Sequence, residues 1–580
     1  MFLPTTRQEM DRLGWDKPDI ILVTGDAYID SSYVGVAVIG HVLADAGYRV
    51  CIIAQPDTRS DNDIMRLGEP ALFWGVAAGA ADSMVANYTA LKKPRRDDDF
   101  TPGGKNTKRP DRASIVYTNL IRKYFKNTKP IVLGGVEASL RRISHYDYWD
   151  DKVRKSILFD AKADILIYGM AERAVLDLAE RLKKGQDFRD IHGICYIAPE
   201  PKNGCLILPA HEQVKSDKSK FIEMFNVFYA NNDPIIAQGL CQKQDTRYLI
   251  QNPPAELLNT AELDRIYELS YENAVHPYCL KQGKVKAIET IQFSITSHRG
   301  CYGECNFCAI AVHQGRTVVS RSEESIIREA AQITRQNSFK GYIHDIGGPT
   351  ANMLYIECAR KLKAGGCNDK RCLSPMICKA LKIDHNKQIE LLKKLRMIKG
   401  IKKVFIGSGI RYDMVLEDKQ HGAEYMEELV NHHISGQLKI APEHTEDKIL
   451  GLMGKPAGSP ADRGKPSGGS YDKIKAGWRY LQEFKKEFDR LNIKFGKKQF
   501  LTYYFIAAHP GCDVKDMIQM RKFIREELKM TPEQVQIFTP TPSIYSTLMY
   551  YTGINPFTSE KLFVENDNGK KGQQKEIIVN

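Results

Sequence analysis

Three cysteines are the residues of this chain whose type and spacing most clearly predict chemistry. Cys301, Cys305 and Cys308 follow one another as Cys-x3-Cys-x2-Cys on one short segment. Thiolates are the usual ligands of iron–sulfur clusters, and a four-iron cubane takes one ligand for each iron. Three ligands leave one iron open, as catalytic metal sites leave a position open for substrate. Zinc is the alternative, but it prefers four ligands in paired Cys-x2-Cys units, so the spacing favours the cluster.

A second group of cysteines follows later in the chain. Its four members fall within 21 residues: Cys358, Cys367, Cys372 and Cys378. Four thiols on so short a segment can bind a second 4Fe–4S cluster or a zinc ion. In the alternative interpretation, some of them are merely buried small apolar side chains, and Cys358 is a residue of a predicted helix. The spacing is irregular and leaves both interpretations open, with iron–sulfur ahead of zinc as the metal because of the first cluster.

Polar side chains that can bind or act on a ligand follow several predicted strands. Ser408 and Arg411 follow one strand, and a Gly-rich strand end with an arginine can hold a ribose or a carboxylate. Glu443 and His444 follow the next strand and His509 the one after, where they can donate hydrogen bonds or protons. The alternatives are an ordinary turn with a surface arginine at the first place and packed loop residues at the others.

The second half of the chain must position these groups. It alternates apolar runs typical of buried strands with amphipathic helical stretches. Six such units predict a partial (β/α)6 barrel of the TIM type over residues 286–555, with active-site loops at the carboxyl ends of the strands. The candidate strands are residues 290–294, 341–346, 403–406, 437–441, 501–507 and 534–538.

The first half predicts an α/β, doubly wound, Rossmann-like domain over residues 1–200. Its strand candidates end in glycines, which places Gly-rich loops at the sheet edge where ligands bind. Residues 201–285 give weak signals and are interpreted as a connector or small subdomain. The Gly-, Pro- and Ser-rich stretch 454–469 is interpreted as a mobile loop, and residues 556–580 as a disordered polar tail. The strand candidates are residues 19–25, 48–54, 130–135 and 164–169.

Composition limits the class of protein. The chain has 580 residues, a diffuse net charge of +13 and 13 cysteines. An odd, clustered set of cysteines favours metal or redox chemistry over disulfides. No run approaches the roughly 20 apolar residues of a membrane helix, and no secretory signal opens the chain. We expect a cytoplasmic protein with no membrane partner, for which the excess of positive charge permits RNA as a partner.

The cysteine motif resembles the signature of the radical S-adenosylmethionine (SAM) superfamily. The motif follows the first barrel strand, and an aromatic residue directly precedes its last cysteine. The resemblance implies that the open iron chelates SAM. It also implies that the cluster cleaves SAM reductively to a 5′-deoxyadenosyl radical, which takes hydrogen from a substrate, and that Phe307 lies against the adenine. Gly347, Gly348 and Pro349 stand where the family has Gly-Gly-Glu, whose backbone carbonyls bind the methionine amine. Pro349 replaces the acidic residue, so only the backbone role carries over.

The likeness is closer to the YgiQ-type radical SAM proteins and covers nearly the whole chain, to about residues 551–553. The segments that carry it are 24–30, 134–139, 252–254, 299–301, 313–316, 320–322, 345–353, 441–444, 509–511 and 538–542. The resemblance implies a radical SAM enzyme that acts on an unidentified substrate, with a reductase such as flavodoxin or ferredoxin as electron donor. The alternative is a non-catalytic iron–sulfur protein that senses redox state or binds nucleic acid.

The N-terminal domain resembles the cobalamin-binding domain that precedes many radical SAM barrels. Cobalamin modules that ligate cobalt use Asp-x-His-x-x-Gly on the first loop, and the matching stretch here runs from Asp30 to Gly35. Ser32 stands where the histidine would be. Because a hydroxyl is a poor cobalt ligand beside an imidazole, we expect no tightly bound cobalamin.

Overall fold

A computed structural model of this chain describes residues 1–367, 370–456 and 477–579. The chain divides into two compact parts, which we call the N-terminal unit and the barrel unit. The N-terminal unit comprises Met1–Leu258, Arg265–Gln292 and Thr541–Ser543. The barrel unit comprises Asn259–Asp264, Phe293–Pro540 and Ile544–Asn580. The stretch 454–469, predicted as a mobile loop, lies outside the described residues from position 457 onward.

A nine-stranded sheet forms the centre of the N-terminal unit. Its first strands are apolar and buried along their whole length, as in parallel strands covered on both faces. Five neighbours, in the order β5-β4-β3-β1-β2, are mutually parallel, which confirms the predicted doubly wound arrangement. The strands are β1 (Ile20–Thr24), β2 (Val50–Ala54), β3 (Phe73–Ala77), β4 (Ile131–Gly134), β5 (Ile165–Ile167), β6 (Ile194–Ala198), β7 (Leu206–Leu208), β8 (Leu240–Gln244) and β9 (Arg247–Gln251).

The same sheet extends into the region that the sequence predicted as a connector, residues 201–285. The remaining strands continue the sheet in the order β7-β8-β9-β6, and β6 runs antiparallel to β5. These strands escaped detection because they are short and partly polar. β8, for example, reads Leu-Cys-Gln-Lys-Gln and offers no continuous apolar run.

Helices and two small ribbons complete the N-terminal unit. One ribbon pairs Ile29–Asp30 with Ala274–Val275, and the other pairs His145–Asp147 with Lys152–Arg154. The helices are Arg7–Arg12, Gly35–Asp45, Asn62–Met65, Ser83–Asn87, Ala113–Tyr124, Gly135–Leu140, Ile157–Ala161, Glu172–Lys184, His211–Ser216, Lys218–Ala230, Pro277–Leu280 and Ile288–Ile291. A further helix, Thr260–Tyr267, contains the boundary between the two units.

Parallel strands in chain order form the barrel unit, which confirms the predicted partial barrel. β10 pairs with β12, β11 with β13, β14 with β15, and β15 with β16, all in parallel. A parallel bridge between Ile410 and Ile440 joins the third predicted strand region to the fourth. β11 and β12 together make the second predicted strand. The strands are β10 (Ser294–Thr296), β11 (Tyr342–Ile343), β12 (Asp345–Gly347), β13 (Lys403–Val404), β14 (Gln437–Glu443), β15 (Phe500–Ala507) and β16 (Gln534–Ile537).

Helices alternate with these strands around an apolar core. A short ribbon pairs His298–Arg299 with Val319–Ser320. Among the described residues, no helix is long and apolar enough to cross a membrane. The helices are Ile310–His313, Glu323–Ile333, Ala351–Met353 (3-10), Ala359–Ala364, Asn386–Arg396, Tyr412–Glu417, Gly422–Glu428, Leu429–His433 (π), Asp447–Leu452, Gly477–Lys494, Val514–Phe523, Ile524–Leu528 (π), Tyr545–Thr552 and Asn568–Val579.

The C-terminal segment differs from the disordered polar tail that the sequence predicted. Residues Asn568–Val579 form a helix whose polar side chains are bonded to the barrel unit. Lys571 is buried and donates to the Tyr550 hydroxyl at 2.8 Å, and the Gln574 side chain accepts from the Ala508 amide at 3.1 Å. Composition suggested disorder because it does not reveal that these polar groups have specific partners.

Candidate functional site

The loop that carries the three cysteines follows β10 and is fixed by one glycine. Gly300 has φ +80°, and a Cβ at this position would lie 2.1 Å from the Thr317 carbonyl oxygen. A side chain is therefore excluded at this turn. The Cys301 amide donates to the Gly315 carbonyl at 3.3 Å, which closes the loop back on the chain that follows it.

The structure brings the three predicted thiols together. The Gly303 amide donates to Cys301 Sγ at 3.3 Å, and a Cβ on Gly303 would lie 3.3 Å from Cys301 Sγ and 3.5 Å from Cys305 Sγ. Burial raises the pKa of Cys308, and the Cys305 and Cys301 thiols raise it further. Metal binding removes such protons, because thiolates are the ligand form. The close thiols and the glycine between them fit the ligand loop of a compact cluster.

Arg411 is buried beside this loop and is not the surface arginine of the alternative interpretation. Its Nη1 donates to Cys305 Sγ at 3.8 Å, and its guanidinium pairs with Asp413 through two nitrogens. Burial works against the charge, but Asp413 and the Cys305 and Cys301 thiols raise the pKa of Arg411 above its ordinary value. The Arg411 main chain is held from both sides, because its amide donates to Asn352 Oδ1 at 2.7 Å and its carbonyl accepts from Asn352 Nδ2 at 3.0 Å.

The glycine pair at the end of β12, Gly347 and Gly348, is required by close packing. A Cβ on Gly347 would lie 2.3 Å from Ser408 Oγ, and one on Gly348 would lie 2.7 Å from the His298 ring. The Gly347 carbonyl already accepts from the Ser297 amide at 2.7 Å and from the Ser297 hydroxyl at 3.0 Å. The pair thus lets strand ends approach one another, and Pro349 follows half-buried.

Asp345, at the start of β12, is bonded to the segment that follows β13, a role that sequence reasoning missed. Its Oδ1 accepts from the Gly407 amide at 2.8 Å and the Ser408 amide at 3.0 Å, and its Oδ2 accepts from the Ser408 hydroxyl. The predicted nucleoside contact of Ser408 therefore finds its hydroxyl engaged by a carboxylate. The signal available in the sequence was an acidic residue just before the Gly-Gly pair.

The candidate acid and base residues separate into two groups. Glu443 ends β14 with φ +69°, and burial raises its pKa while Lys455 and Arg411 lower it. It also raises the pKa of Cys308, so it lies near the cysteine loop. Lys455, another group that sequence reasoning missed, donates to the Ala441 carbonyl.

His444 and His509 are buried with both ring nitrogens engaged elsewhere. His444 accepts from the Glu446 amide at 3.0 Å and contacts Cys512 Sγ at 3.6 Å. His509 contacts the Pro510 carbonyl at 2.9 Å and the Ser546 hydroxyl at 2.7 Å. Burial lowers the pKa of His444 to about 3 and that of His509 to about 4. Glu443, rather than either imidazole, is thus the candidate whose charge acts on the cysteine loop.

A small pocket of about 10 Å³, roughly the size of one water molecule, opens beside the arginine–aspartate pair. Arg411, Asp413, Lys455 and Tyr480 are among the side chains that line it. Phe307, predicted to lie against an adenine, is half-buried and packs against the barrel core. The pocket therefore presents charged groups of both signs close to the cysteine loop.

Comparisons with known proteins agree on the class. A family model described as Radical SAM N-terminal matches residues 2–294. A UPF0313 protein of Fusobacterium nucleatum is 57% identical over 579 residues, covering 100% of this chain and 98% of its own. UPF0313 proteins of Thermotoga neapolitana and Clostridium perfringens are 47% and 46% identical, over 100% of this chain and 98% and 84% of their own.

Among solved structures, the radical SAM methyltransferase TsrM of Kitasatospora setae is similar with a TM-score of 0.50 and 13% identity. The match covers 90% of this chain and 74% of TsrM. A second TsrM structure, with cobalamin and a [4Fe-4S] cluster bound, has a TM-score of 0.50, 12% identity and coverage of 91% and 74%. At these identities the likeness is one of fold.

The TsrM comparison contradicts one sequence prediction. We expected no tightly bound cobalamin because Ser32 replaces a cobalt-binding histidine, yet a chain that shares this fold holds cobalamin. The prediction was wrong because it rested on a single ligand. A histidine provides one bond to cobalt, whereas the carboxyl edge of a doubly wound sheet offers a ligand site whichever residue stands on the first loop.

Proposed function

From the premise that this chain belongs to the UPF0313 (YgiQ) family and is a radical SAM enzyme, we propose that Cys301, Cys305 and Cys308 hold a 4Fe–4S cluster whose open iron binds SAM. When bound, the cluster would supply the electron that cleaves SAM to methionine and a 5′-deoxyadenosyl radical, which takes hydrogen from the substrate. The convergence of Cys301 and Cys305 around Gly303, with Cys308 three residues farther along the same loop, carries this proposal.

Arg411 is the group that we propose to stabilise negative charge on the thiolates. Its guanidinium donates to Cys305 Sγ, and a hydrogen bond to an ionised partner is roughly twice as strong as a neutral one. Asp413 fixes the guanidinium plane, and Asn352 fixes the backbone beneath it. The arginine therefore needs no rearrangement when the charge on the thiolates changes.

Glu443 is the side chain that we propose to hold a proton on the substrate side. Burial raises its pKa, so it keeps a proton closer to neutral pH than an ordinary glutamate does. A general acid or base works best when its pKa approaches the working pH. Phe307, Gly348 and Pro349 remain our proposed contacts to SAM, through an aromatic face and backbone carbonyls.

The test is SAM cleavage by the full chain after anaerobic reconstitution with iron and sulfide. With dithionite and SAM, the wild-type chain should form 5′-deoxyadenosine, and Cys305→Ala should form none above background. Cys205→Ala, which removes a half-exposed thiol from the N-terminal unit, is the matched control and should match wild type. A reconstituted cluster without any 5′-deoxyadenosine would instead support a non-catalytic iron–sulfur protein.

The partners stay proposals. A flavodoxin or ferredoxin is the electron donor that we propose, and RNA is the substrate class that a net charge of +13 permits. TsrM binds cobalamin, which makes cobalamin a ligand to test on the N-terminal unit. Anaerobic expression with added cobalamin, followed by cobalt analysis of the purified chain, tests it.

A further inference from the structure

The second group of cysteines lies on a segment that closes on itself. Glu357 and Lys382 form an antiparallel bridge, which joins the two ends of the segment. Inside it, the Cys378 amide donates to the Cys372 carbonyl at 2.8 Å. The irregular spacing in sequence therefore does not keep Cys358, Cys372 and Cys378 apart in space.

Two of these thiols lie next to the first cysteine loop. Cys358 and Cys372 are buried in a small apolar cluster together with Tyr302, and Cys301 packs against the same cluster. Cys358 and Cys372 therefore lie in one cluster, and the Cys378 backbone is bonded to that of Cys372.

A buried lysine faces this group. Lys361 is 2% exposed, and its Nζ lies 3.1 Å from Glu304 Oε1 and 3.7 Å from Cys372 Sγ. Burying an ammonium group is costly unless anions surround it, and a cation beside a cysteine favours the thiolate. Lys361 therefore has one anionic partner in Glu304 and gains a second when Cys372 is a thiolate.

The positions of the thiol sulfurs argue against a zinc site. A tetrahedral zinc site with Zn–S bonds of about 2.3 Å needs sulfurs about 3.8 Å apart. Within the described residues, the one set of three or more histidine, cysteine or carboxylate ligand atoms that all lie within 4.8 Å of one another is Asp384, Asp418 and His421. Neither cysteine group meets that limit. Thiolates of a cubane bind different irons and so stand farther apart.

We propose that Cys358, Cys372 and Cys378 ligate a second 4Fe–4S cluster, with Cys367 of the same segment as the fourth thiolate. Four protein ligands leave no open iron, so this cluster would transfer electrons and would not bind SAM. Lys361 is a positioning residue that balances the negative charge of the thiolates. The proposal does not depend on the chemistry assigned to the first loop.

The experiment removes the first loop and counts what remains. The full chain carrying Cys301→Ala, Cys305→Ala and Cys308→Ala is reconstituted anaerobically with iron and sulfide. We expect about four irons per chain and a visible absorbance that dithionite bleaches, against about eight irons in wild type. Wild type with about four irons and the triple variant with none would overturn the proposal, as would one zinc per chain in place of iron.

Further variants of the triple mutant locate the ligands. Adding Cys378→Ala, which removes a half-buried thiol, should abolish most of the remaining iron, and adding Cys367→Ala should also reduce it. Adding Cys205→Ala is the matched control and should leave the iron unchanged. Full iron retention after both Cys378→Ala and Cys372→Ala would refute this ligand set. The wild-type count keeps the test valid if a variant folds poorly.

Discussion

The N-terminal unit and the barrel unit both bury charged side chains, but they compensate the charges differently. In the N-terminal unit, Arg109 is buried between two carboxylates, Asp26 and Asp98. In the barrel unit, the buried cations Arg411 and Lys361 each contact one carboxylate and one cysteine sulfur. The first arrangement is complete within the protein, whereas the second leaves cations directed at thiols.

This difference separates structural charges from functional ones. A buried ion pair contributes little net stability, yet breaking it is costly, so a closed network such as that of Arg109 fixes a fold. A buried cation beside a thiol gains most when the thiol is ionised, and metal ligation is what ionises cysteines. The barrel unit is therefore where we expect metal chemistry, and variants of each kind of cation can test the contrast.

The largest effect on stability is expected for Arg109→Met. It leaves Asp26 and Asp98 buried without their cation, and the charge of Asp98 already raises the pKa of Asp26. We expect the free energy of unfolding of the N-terminal unit to fall by about 5 kcal/mol. Tryptophan fluorescence in urea measures it, because Trp15, Trp74 and Trp149 belong to this unit and Trp478→Phe removes the fourth tryptophan.

The matched control is Arg189→Met, whose side chain is 65% exposed and lies 4.0 Å from Asp187. Exposed pairs of this kind contribute about 1 kcal/mol or less. Iron content after reconstitution should be unchanged in both variants. If Arg109→Met lowered the free energy of unfolding by less than 1 kcal/mol, the network around this arginine would not be what stabilises the N-terminal unit.

The second effect is expected for Arg411→Met, in the barrel unit. Asp413 would lose its partner, but the charge of Lys455 also acts on it, so we expect a smaller loss of about 3 kcal/mol. Hydrogen exchange of barrel peptides measures that loss. Removing a positive charge beside Cys305 should also lower the reduction potential of the proposed cluster, by about 60 mV for each 1.4 kcal/mol.

Two variants bracket this result. Arg411→Lys keeps the charge and should retain most of the potential, although it cannot reproduce the two-nitrogen contact with Asp413. Arg490→Met removes an exposed arginine that pairs with Glu487 and should change neither quantity. An unchanged potential in Arg411→Met would mean that the arginine serves Asp413 alone.

Much of the fold was predictable from the sequence, because it rests on local patterns. Continuous apolar runs such as Ile20–Thr24 mark buried parallel strands, and the Cys-x3-Cys-x2-Cys spacing identifies one loop without any tertiary information. The strands of the connector region and the helix Asn568–Val579 were missed because their residues are largely polar. Their structure depends on partners distant in sequence, such as Gln574 with Ala508.

The candidate site was predictable only where a motif is contiguous. The cysteines and the glycine pair could be read directly from the chain. The pairing of Asp345 with Ser408 spans 63 residues, and that of Lys361 with Glu304 spans 57, so no local pattern reveals either. His444 and His509 illustrate the reverse error. Their side chains have the right chemistry for catalysis, but both rings are buried and hydrogen-bonded to other groups.

The smallest effect that we predict concerns Cys205 and Cys241 of the N-terminal unit. A hydrogen bond from the Cys241 thiol lowers the pKa of Cys205 to about 7, so Cys205 becomes a thiolate as the pH rises through neutrality. Alkylation by iodoacetamide, mapped by mass spectrometry, should therefore reach half its maximal rate near pH 7. In Cys241→Ala, the midpoint should move up toward the ordinary cysteine value of about 8.5.

The same measurement compares the thiols of the two units. Cys205 reacts as a half-exposed thiol tuned by its neighbour, so its alkylation should be the same with and without reconstituted iron. Cys305 should be protected by iron, because a metal-bound thiolate is not free to react. Two results would contradict this contrast between the thiols of the two units. One is protection of Cys205 by iron, and the other is an alkylation midpoint of Cys205 near pH 8.5 in the wild type.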